Sequence, residues 1–312
     1  MPNDFTQLQW NTQLADDCHN LIRMALKEDI GNLFDLTTRV LIPGGQAGRA
    51  RVVARQPGTI CGLMAGQEAL QQVDPNAHWQ PCAEDGQEVE PGTVLAELTG
   101  RAGSLLTAER VVLNLIGRLS GIATLTHQFV DQTRGTGARI YDTRKTTPGW
   151  RRLEKYAVRQ GGGCNHRTGL FDAVLIKDNH LAMVARSANG PLTPAAAVRQ
   201  ARLRVKQLLG EAAGSIVIEI EVDTLEQLRE VLVERPDIVL LDNMNNDELR
   251  AAVALRDPQQ KDTQLEASGG VTLTTVRSIA QTGVDRISVG ALTHSAQSLD
   301  VAVDWVGAQK KT

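Results

Sequence analysis

The first helix of the chain is predicted from apolar residues that recur every three to four positions, which is the spacing of one helical face. Within residues 12–30 these are Leu14, Cys18, Leu21, Ile22, Ala25 and Leu26. Gly31 follows them and offers a helix end, because glycine tolerates left-handed backbone. From Arg49 to Leu98, turn residues and apolar pairs predict strands, including one through Val52-Val53 and a pair flanking Pro91-Gly92.

A second helical pattern starts at Thr107. We expect Thr107 to cap the helix N-terminus, with Glu109 in the first turn, where a carboxylate is stabilised by the exposed N–H groups. The apolar stripe then continues toward Phe129 through Leu113, Ile116, Leu119 and Ile122. This spacing predicts a helix with one buried face.

After Gly137 the pattern becomes an alternation of short apolar runs with helical or loop stretches. Six runs end in charged or glycine-rich turns: ARIYDTRK (138–145), DAVLIKDN (172–179), SIVIEIEV (215–222), DIVLLDN (237–243), QLEASGG (264–270) and RISVGAL (286–292). Such alternation predicts a parallel sheet with right-handed crossovers, and polar strand ends are typical of an α/β barrel with its chemistry at the C-terminal edge. Because six strands are fewer than eight, either the barrel is incomplete or one or two further strands are not visible in the pattern. A doubly wound open sheet is the competing arrangement, although no G-x-G-x-x-G follows the first strand.

Composition narrows the classes of function. The 312 residues are 42% hydrophobic but only 3% aromatic, which favours helices packed on a parallel sheet. The net charge of −3 gives no overall attraction to nucleic acid or anionic lipid, so a cationic site must be local. No signal peptide or membrane-spanning run is visible, and we expect a cytoplasmic protein. Widely spaced cysteines predict buried, reduced thiols: Cys18, Cys61, Cys82 and Cys164.

Cationic side chains begin to gather after the first strand of this alternation. Arg144 and Lys145 close that strand, and Thr147 followed by Pro148 is typical of a helix start. Two cations beside a helix N-terminus suit a phosphate or a carboxylate. The alternative is a pair of solvated surface charges.

A run of three glycines, 161–163, precedes His166-Arg167. Glycines allow unusual backbone conformations and let a ligand come close, so this loop is a predicted binding loop; a buried, hydrogen-bonded histidine is the alternative. Lys177 ends a buried strand, where an unpaired cation would be costly. Its partner is Asp172 or Asp178, a substrate carboxylate, or a carbonyl substrate that forms a Schiff base.

Carboxylates mark two successive strands. Glu219 and Glu221 alternate with apolar residues and therefore point the same way, and Asp242 with Asn243 ends the next strand. Both faces of a parallel barrel strand are covered, so solvation does not explain these carboxylates. They suit Mg²⁺, which takes one or two protein carboxylates together with substrate phosphates; a structural salt bridge to an arginine is the alternative.

Glycine turns end the last two strands, at Ser268-Gly269-Gly270 and Val289-Gly290-Ala291. Glycine in such turns leaves backbone N–H groups able to form an anion-binding nest. Late strands of α/β barrels frequently hold a phosphate in this way. We therefore predict a phosphate site at the two turns.

Taken in order, these stretches resemble the quinolinate phosphoribosyltransferase family. The resemblance rests on TAERVVLN, DTRKTTPG, GGGCNHRTGL, LIKDNH, EIEVD, LLDN, ASGGV and ISVGALTHS, with EDIG (28–31) and DLTT (35–38) nearer the N-terminus. It implies an α/β fold with an N-terminal α/β sandwich over residues 1–121, joined by the C-terminal tail 294–312. Residues 122–293 would form an incomplete parallel (β/α) barrel. It also implies a homodimer with shared active sites.

The resemblance further implies transfer of the phosphoribosyl group of phosphoribosyl pyrophosphate to quinolinate with decarboxylation. The products would be nicotinate mononucleotide, CO₂ and pyrophosphate, in NAD synthesis, with Mg²⁺ as the cofactor. By position, the quinolinate carboxylates would meet Arg144, His166, Arg167, Lys177 and, from the partner subunit, Arg110. The catalytic residues would be Lys145, Glu221 and Asp242, of which Glu221 and Asp242 also hold the metal. Thr143 and the turns Ser268–Gly270 and Val289–Ala291 would complete substrate binding.

Two departures and three alternatives accompany this prediction. Leu33 and Phe34 stand where the family has a tighter Gly-Asp turn, and residues 185–196 predict an extended loop after Lys177. A related activity would use nicotinate or another pyridine without decarboxylation. An aldolase would use Lys177 as a Schiff-base nucleophile, and a barrel without catalysis would only bind partners.

Overall fold

The fold is a mixed α/β structure, seen in a computed structural model that describes residues 4–185, 192–258 and 260–306. Its helices are α1 (Thr12–Ile30), α2 (Leu36–Leu41), α3 (Leu63–Val73), α4 (Ala102–Thr133), α5 (Arg151–Gln160), α6 (Asp178–Ala185), α7 (Pro194–Leu209), α8 (Leu225–Leu232), α9 (Asn246–Arg256), α10 (Val276–Ala280) and α11 (Ala291–His294), with a 3₁₀ helix at Gly210–Ser215. Its strands are β1 (Ala47–Ala54), β2 (Gly58–Thr59), β3 (His78–Pro81), β4 (Glu88–Val89), β5 (Val94–Arg101), β6 (Arg139–Tyr141), β7 (Ala173–Ile176), β8 (Val217–Val222), β9 (Ile238–Asp242), β10 (Gln264–Ser268), β11 (Arg286–Ser288) and β12 (Val301–Trp305). No helix in the described ranges is both long and apolar enough to cross a membrane.

The chain folds into two compact units, each assembled from separate stretches of sequence. The barrel unit takes the described residues of 4–7, Gln128–Lys145 and Gly163–Ala291. The antiparallel unit takes Leu8–His127, Thr146–Gly162 and 292–306. The domain boundaries predicted near residues 121 and 293 stay a prediction. Within the loop predicted at 185–196, residues 186–191 lie outside the described residues, as does the predicted tail beyond residue 306. The end of that loop is wrongly predicted, because α7 already begins at Pro194.

The antiparallel unit is built on a four-stranded sheet in the order β12-β1-β5-β3. The C-terminal strand β12 pairs antiparallel with β1, from Ala50 opposite Trp305 to Ala54 opposite Val301. Val52 is fully buried in β1, as its apolar pattern predicts. Two strands flank Pro91-Gly92, as predicted, but they do not pair with each other. Instead β4 pairs with β2, while β5 pairs with β1 and β3.

The first helix has the predicted bounds. α1 runs from Thr12 to Ile30, with the Asn11 side chain accepting a hydrogen bond from the Leu14 N–H. Gly31 ends it with a φ of 62°, a left-handed value at which a β-carbon would be strained. Leu14, Cys18 and Ile22 are buried on the predicted face. The 3.6-residue period therefore locates both the helix and its packed side.

The long helix α4 starts five residues before its predicted cap. It begins at Ala102, directly after β5, so Thr107 lies within the helix and its hydroxyl donates to the Gly103 carbonyl at 2.9 Å. The predicted apolar stripe is confirmed, since Ile116, Leu119 and Ile122 are fully buried. One side of α4 has no room for a side chain: a β-carbon on Gly121 would lie 1.9 Å from the Gln297 carbonyl oxygen.

The predicted helix start at Thr147-Pro148 is also wrong. α5 begins at Arg151, and the Thr147 N–H and hydroxyl both donate to the buried carboxylate of Glu154, at 3.0 and 2.9 Å. Glu154 also pairs with Arg118 at 2.7 Å. A carboxylate one turn inside the helix therefore holds the chain that leads into it.

The barrel unit contains all six predicted parallel strands. Their order in the sheet is β6-β11-β10-β9-β8-β7. From β7 to β11, strands that are consecutive in sequence are neighbours, and the last strand, β11, pairs with the first, β6. Among the described residues β6 and β7 do not pair, which leaves the barrel incomplete at that seam. A single parallel bridge from Tyr141 to Cys164 lies beside β6. The predicted fold class is thus confirmed, and the doubly wound open sheet is excluded.

The four cysteines all lie within the described residues, and none forms a disulfide. Cys18 and Cys61 are buried, and burial raises the pKa of the Cys18 thiol to about 12. Cys82 is exposed and Cys164 is half-buried. The prediction of reduced thiols holds, whereas the prediction of burial is wrong for Cys82, which lies just past β3.

Candidate active site

The predicted site residues of the barrel unit gather at the C-terminal ends of its strands. Thr143, Arg144 and Lys145 follow β6, Lys177 follows β7, and Glu221 lies near the end of β8. Asp242, Ser268 with its two glycines, and Val289–Ala291 occupy the ends of β9, β10 and β11. Because parallel strands share one C-terminal edge, these groups face a common region. Arg110 lies on α4 in the antiparallel unit.

Lys177 pairs with Glu221, 2.5 Å from Nζ to Oε2. The predicted partners, Asp172 and Asp178, are therefore wrong: Asp172 instead accepts hydrogen bonds from the N–H and hydroxyl of Thr168, each at 2.6 Å. The Lys177 side chain is 43% exposed, so it can also meet a ligand. The ion pair brings together the predicted carboxylate-binding and metal-binding groups.

The turn after β10 requires glycine. Gly269 has a φ of 101°, and a β-carbon there would lie 2.1 Å from the Asn243 side-chain oxygen. Asn243, itself at a φ of 53°, donates from Nδ2 to the Asp242 carboxylate at 2.7 Å. Gly270 also has a positive φ, 60°. The turn thus packs directly on Asn243, which holds the Asp242 carboxylate, a predicted metal ligand.

Two guanidinium groups lie close together: that of Arg144, just after β6, and that of Arg167, in the loop before β7. Burial and the neighbouring Arg144 lower the pKa of Arg167, while the carboxylates of Glu219 and Asp172 oppose this effect. Arg167 is 7% exposed and its Nη1 reaches the Ala173 carbonyl at 3.4 Å. Like charges held this close are relieved by a bound anion, which agrees with a carboxylate-binding role.

His166 is buried, and both of its ring nitrogens are engaged. Nδ1 accepts the Arg167 backbone N–H at 2.8 Å, so the proton of a neutral ring is on Nε2. Nε2 lies 3.0 Å from Glu219 and 3.5 Å from Glu266. Burial alone would lower the pKa of His166, but these two carboxylates raise it above its ordinary value. The imidazole is therefore held between two buried acids, with Nε2 directed at their carboxylates.

Sequence reasoning missed the partners of His166. Glu266 is fully buried in β10 and pairs with the buried Arg286 of β11 at 2.8 Å. Glu219, predicted together with Glu221 as a carboxylate suited to Mg²⁺, is fully buried in β8 and pairs with His166. The available signal was a charged residue inside an apolar run of a parallel strand, where it needs a partner. Ligand atoms of His166, Glu219 and Glu266 lie within 4.8 Å of one another, so the three residues form one buried cluster.

The glycines before the 163–172 loop, Gly161 and Gly162, are required by the local backbone conformation and packing. Gly161 ends α5, and a β-carbon on it would lie 2.3 Å from the Ala123 carbonyl oxygen. Gly162 has a φ of 84°. The predicted reason for these glycines, close approach of a ligand, is therefore replaced at Gly161 and Gly162 by helix termination and close packing within the antiparallel unit.

Arg110 lines two concave surfaces of the antiparallel unit. One is a cavity of about 630 Å³ that also contacts Arg118 and Trp150. The other, about 410 Å³, lies against Phe34 and Leu36. Large apolar side chains near this second cavity are exposed: Leu33, Phe34, Leu36, Val40 and Leu41. Arg110 therefore borders a surface on which several large apolar side chains are exposed.

Comparison with protein-family models matches nearly the whole chain. Residues 35–120 match the model described as "Quinolinate phosphoribosyl transferase, N-terminal domain", and residues 122–304 match "Quinolinate phosphoribosyl transferase, C-terminal domain". Two similar curated proteins are a carboxylating nicotinate-nucleotide pyrophosphorylase of Mycobacterium leprae and a probable one of Bacillus subtilis. The first is 43% identical over 93% of this chain and 97% of the relative; the second is 44% identical over 89% of each.

Solved structures show the same similarity. The nicotinate-nucleotide pyrophosphorylase of Francisella tularensis superposes with a TM-score of 0.83 at 38% identity, over 93% of this chain and 96% of that one. The enzyme of the same name from Ehrlichia chaffeensis gives a TM-score of 0.81 at 35% identity, over 96% and 100%. The likeness therefore extends over both units of the chain.

Proposed function

Since the chain belongs to the quinolinate phosphoribosyl transferase family, we propose that it transfers the phosphoribosyl group of phosphoribosyl pyrophosphate to quinolinate. The reaction releases CO₂ and pyrophosphate and forms nicotinate mononucleotide, in the de novo synthesis of NAD. Similar curated proteins are named for this activity, and the alignment with this chain covers most of their length. The chain is thus a phosphoribosyltransferase.

The observation that carries the assignment of residues is the convergence of cations and carboxylates at one strand edge. Arg144 and Arg167 lie close together and favour an anion, and Lys177, in an ion pair with Glu221, ends the next strand along the chain. Quinolinate brings two adjacent carboxylates, and its partner substrate brings a phosphate and a pyrophosphate. Fixed cations match these charges without a change of protonation.

The protein contributes mainly position and charge. In this proposal Arg144, Arg167 and Lys177 orient quinolinate so that its ring nitrogen attacks the anomeric carbon of the ribose, while the bond to pyrophosphate breaks. The alkylated nitrogen is then cationic and can stabilise the carbanion left on the ring when the bond to the 2-carboxylate breaks. A proton replaces CO₂ at that carbon. Lys145 and Thr143, beside β6, would contact the phosphoribosyl substrate.

Magnesium is the cofactor that we propose, held by Glu221 and Asp242. Their carboxylate oxygens are ligands that Mg²⁺ prefers, and both side chains lie partly exposed at the ends of neighbouring parallel strands. Bound Mg²⁺ would offset charge on the pyrophosphate leaving group. Glu221 and Asp242 would also meet the ribose hydroxyls, and the turns Ser268–Gly270 and Val289–Ala291 would hold the 5-phosphate.

The Schiff-base alternative is disfavoured by the partner of Lys177. An aldolase needs an amine that is free to attack a carbonyl carbon, whereas Nζ of Lys177 is engaged in an ion pair with the carboxylate of Glu221 at 2.5 Å. Lys177→Arg keeps a cation but has no primary amine. Retained activity in that variant would exclude a Schiff base, and borohydride trapping of a carbonyl compound on Lys177 would support one.

The test is a product assay with purified protein, phosphoribosyl pyrophosphate and Mg²⁺, run in parallel with quinolinate and with nicotinate. We expect nicotinate mononucleotide and stoichiometric CO₂ from quinolinate only. Product from nicotinate alone would identify the non-decarboxylating variant of the reaction. If a folded preparation gave no product from either pyridine, the assignment would be wrong.

We further propose that the protein is a homodimer with Arg110 reaching the site of its neighbour. Two observations support it: Arg110 borders an exposed apolar surface, and that surface includes Phe34, which is 49% exposed, and Leu36, which is 59% exposed. Apolar area of this kind is typical of subunit interfaces. A cytoplasmic location is likewise a proposal, supported by thiols that form no disulfide.

A further inference from the structure

The N-terminal segment, residues 4–7, is part of the barrel unit and not of the antiparallel unit that follows it in sequence. Phe5 is 6% exposed and packs with Ala173, Val217 and Ile238, the first residues of β7, β8 and β9. It therefore closes the N-terminal end of the barrel interior. Nothing in the predicted chemistry explains why this segment should be held so firmly.

Phe5 also contacts the predicted binding loop directly. Its ring stacks on the His166 imidazole, with centroids 4.3 Å apart and 29° between the planes. Because His166 Nδ1 accepts the Arg167 N–H, the position of the imidazole is tied to the backbone that carries the Arg167 guanidinium. A shift of Phe5 is thereby transmitted to Arg167.

Gln7 holds the same loop one residue earlier. Its Nε2 donates to the Asn165 carbonyl at 3.0 Å, and its Oε1 accepts the Asn165 N–H at 2.7 Å. The primary amide thus pairs with the Asn165 peptide as a neighbouring strand would. Asp142 completes the anchorage by accepting from the Asn165 side chain and the His166 N–H, at 2.7 and 2.8 Å.

Asp4 links the segment to the buried charges behind His166. Its carboxylate pairs with Arg286 at 2.8 Å and accepts the Tyr141 hydroxyl at 3.2 Å. Arg286 in turn pairs with Glu266, whose other oxygen lies 3.5 Å from His166. The segment therefore approaches His166 from two sides, through the Phe5 ring and through this chain of ion pairs.

We propose that Phe5 and Gln7 are positioning residues of the active site, which fix the Asn165–Arg167 backbone so that Arg167 meets the pyridine dicarboxylate. The inference rests on the proposed function for the identity of that ligand. The loop from 163 to 172 has little regular structure of its own, so its geometry depends on groups brought from elsewhere. With both ring nitrogens engaged inside the protein, His166 transmits position and does not have to contact the substrate.

The kinetic test uses Phe5→Leu and Gln7→Ala. Leucine retains apolar volume at the barrel end but lacks the flat ring, and alanine removes both hydrogen bonds to Asn165. We expect each variant to raise the KM for quinolinate about tenfold, because small displacements of a binding group are costly. The KM for phosphoribosyl pyrophosphate should change less than about twofold, since its contacts lie on other strand ends.

Thr6→Ala and Gln9→Ala are the matched controls. Both residues are exposed and lie beside the substituted positions, so wild-type kinetics are expected. A purely structural role for Phe5 and Gln7 would lower the melting temperature and the amount of active protein while leaving both KM values unchanged. That outcome would overturn the proposal.

A second measurement is independent of catalysis. In substrate-free protein labelled with ¹⁵N-histidine, the His166 imidazole is assigned by comparison with His166→Asn. Gln7 does not touch the imidazole, so we expect Gln7→Ala to shift or broaden the His166 resonances only if it anchors the loop. Unchanged resonances would overturn the inference. A shift in a protein that makes no nicotinate mononucleotide would instead refute the proposed function and leave the anchorage in place.

Discussion

Gly269 shows how one backbone conformation shapes the predicted phosphate turn. Its φ of 101° is strained for any other residue, and an added β-carbon would meet the Asn243 side chain at 2.1 Å. We expect Gly269→Ala to displace the turn and raise the KM for phosphoribosyl pyrophosphate about tenfold, with little change for quinolinate. Steady-state kinetics with each substrate varied in turn will measure both values.

The control separates backbone strain from the clash. Gly135 also has a positive φ, 79°, but no heavy atom of the described chain lies within 4 Å of the place where its β-carbon would be. Gly135→Ala should therefore lower stability somewhat and leave both KM values at the wild-type level. If Gly269→Ala behaved in the same way, the turn would not be part of the phosphate site.

Asp74 is a buried carboxylate whose charge state should govern acid stability. Hydrogen bonds from Arg101 and Ser104, each at 2.8 Å, lower its pKa from 3.8 to about 2. A carboxyl group with a lowered pKa stabilises the fold at pH values above its ordinary pKa. This stabilisation is lost as the pH falls through the lowered pKa. We expect Asp74→Asn to reduce the free energy of unfolding by about 2 kcal/mol at neutral pH.

This difference from the wild type should shrink as the pH falls from about 4 to about 2, the interval between the two pKa values. Urea denaturation at a series of pH values measures it. Asp247→Asn is the control, because the Asp247 side chain is 93% exposed and its ion pair with Arg250 is worth little. An Asp74→Asn deficit that stayed constant with pH would contradict the expectation.

Single residues were predictable where the reason was local. The Gly269 turn and the shared face of Glu219 and Glu221 follow from glycine chemistry and from strand alternation. The partner of Lys177 did not, because sequence favours the nearby Asp178 while the fold supplies Glu221 from the next strand. The same holds for Arg286, whose acids come from Glu266 and from Asp4, 282 residues earlier in the chain.

Among the elements, α4 depends on a close approach to the chain before β12. A β-carbon on Gly121 would lie 1.9 Å from the Gln297 backbone oxygen, which cannot move away as a flexible side chain could. We expect Gly121→Ala to lower the free energy of unfolding by about 3 kcal/mol, as strained overpacking does. Thermal and urea unfolding will measure the loss.

Gly103→Ala is a control within the same helix. Its β-carbon would approach only the Thr38 methyl group, at 3.0 Å, and alanine has the better helix propensity. Its stability should stay within about 1 kcal/mol of the wild type. If both variants lost the same free energy of unfolding, the close packing of α4 on the Gln297 backbone would not explain the loss in Gly121→Ala.

Periodicity predicted the elements better than it predicted their ends. The six barrel strands and α1 follow from patterns of burial that the fold preserves. The caps assigned to Thr107 and Thr147 are wrong for a physical reason. α4 continues straight from β5, with the Ala102 N–H already bonded to the Gln46 carbonyl at 2.7 Å, and Glu154 takes both donors of Thr147.

For the whole molecule, a shared active site has a clear genetic signature. Arg110→Ala and Arg144→Ala should each be nearly inactive alone, because each removes a cation from every site. Co-expressed, half of the dimers would be mixed, and each mixed dimer would hold one intact site. We therefore expect about a quarter of wild-type activity to return.

The matched control combines two variants of the barrel unit, Arg144→Ala and Lys177→Ala. Every site of such a mixed dimer carries one defect, so co-expression should restore nothing. Restoration in both mixtures, or in neither, would contradict an arginine that crosses between subunits. Size-exclusion chromatography of each mixture checks that dimers form.

Sequence predicted the class of the whole molecule but not how its units are assembled. The alternation of strands and helices led to an incomplete parallel barrel, and the family motifs agreed with it. The placement of residues 4–7 in the barrel unit had no sequence signal, because Asp4, Phe5 and Gln7 act through partners more than 130 residues away. Contacts at such separation leave no local periodicity.

The pairing of β1 with β12 also constrains how the chain is made. Ala50 pairs with Trp305, and β6 pairs with β11, which begins at Arg286, so both sheets wait for residues that are made much later than β1 and β6. Until then β1 and β6 present open edges that could join another chain. Folding must therefore be slow relative to local helix formation. A nascent chain released before residue 301 would lack β12 and keep an open edge on its β1. Premature termination would therefore lead to aggregation as well as to lost activity.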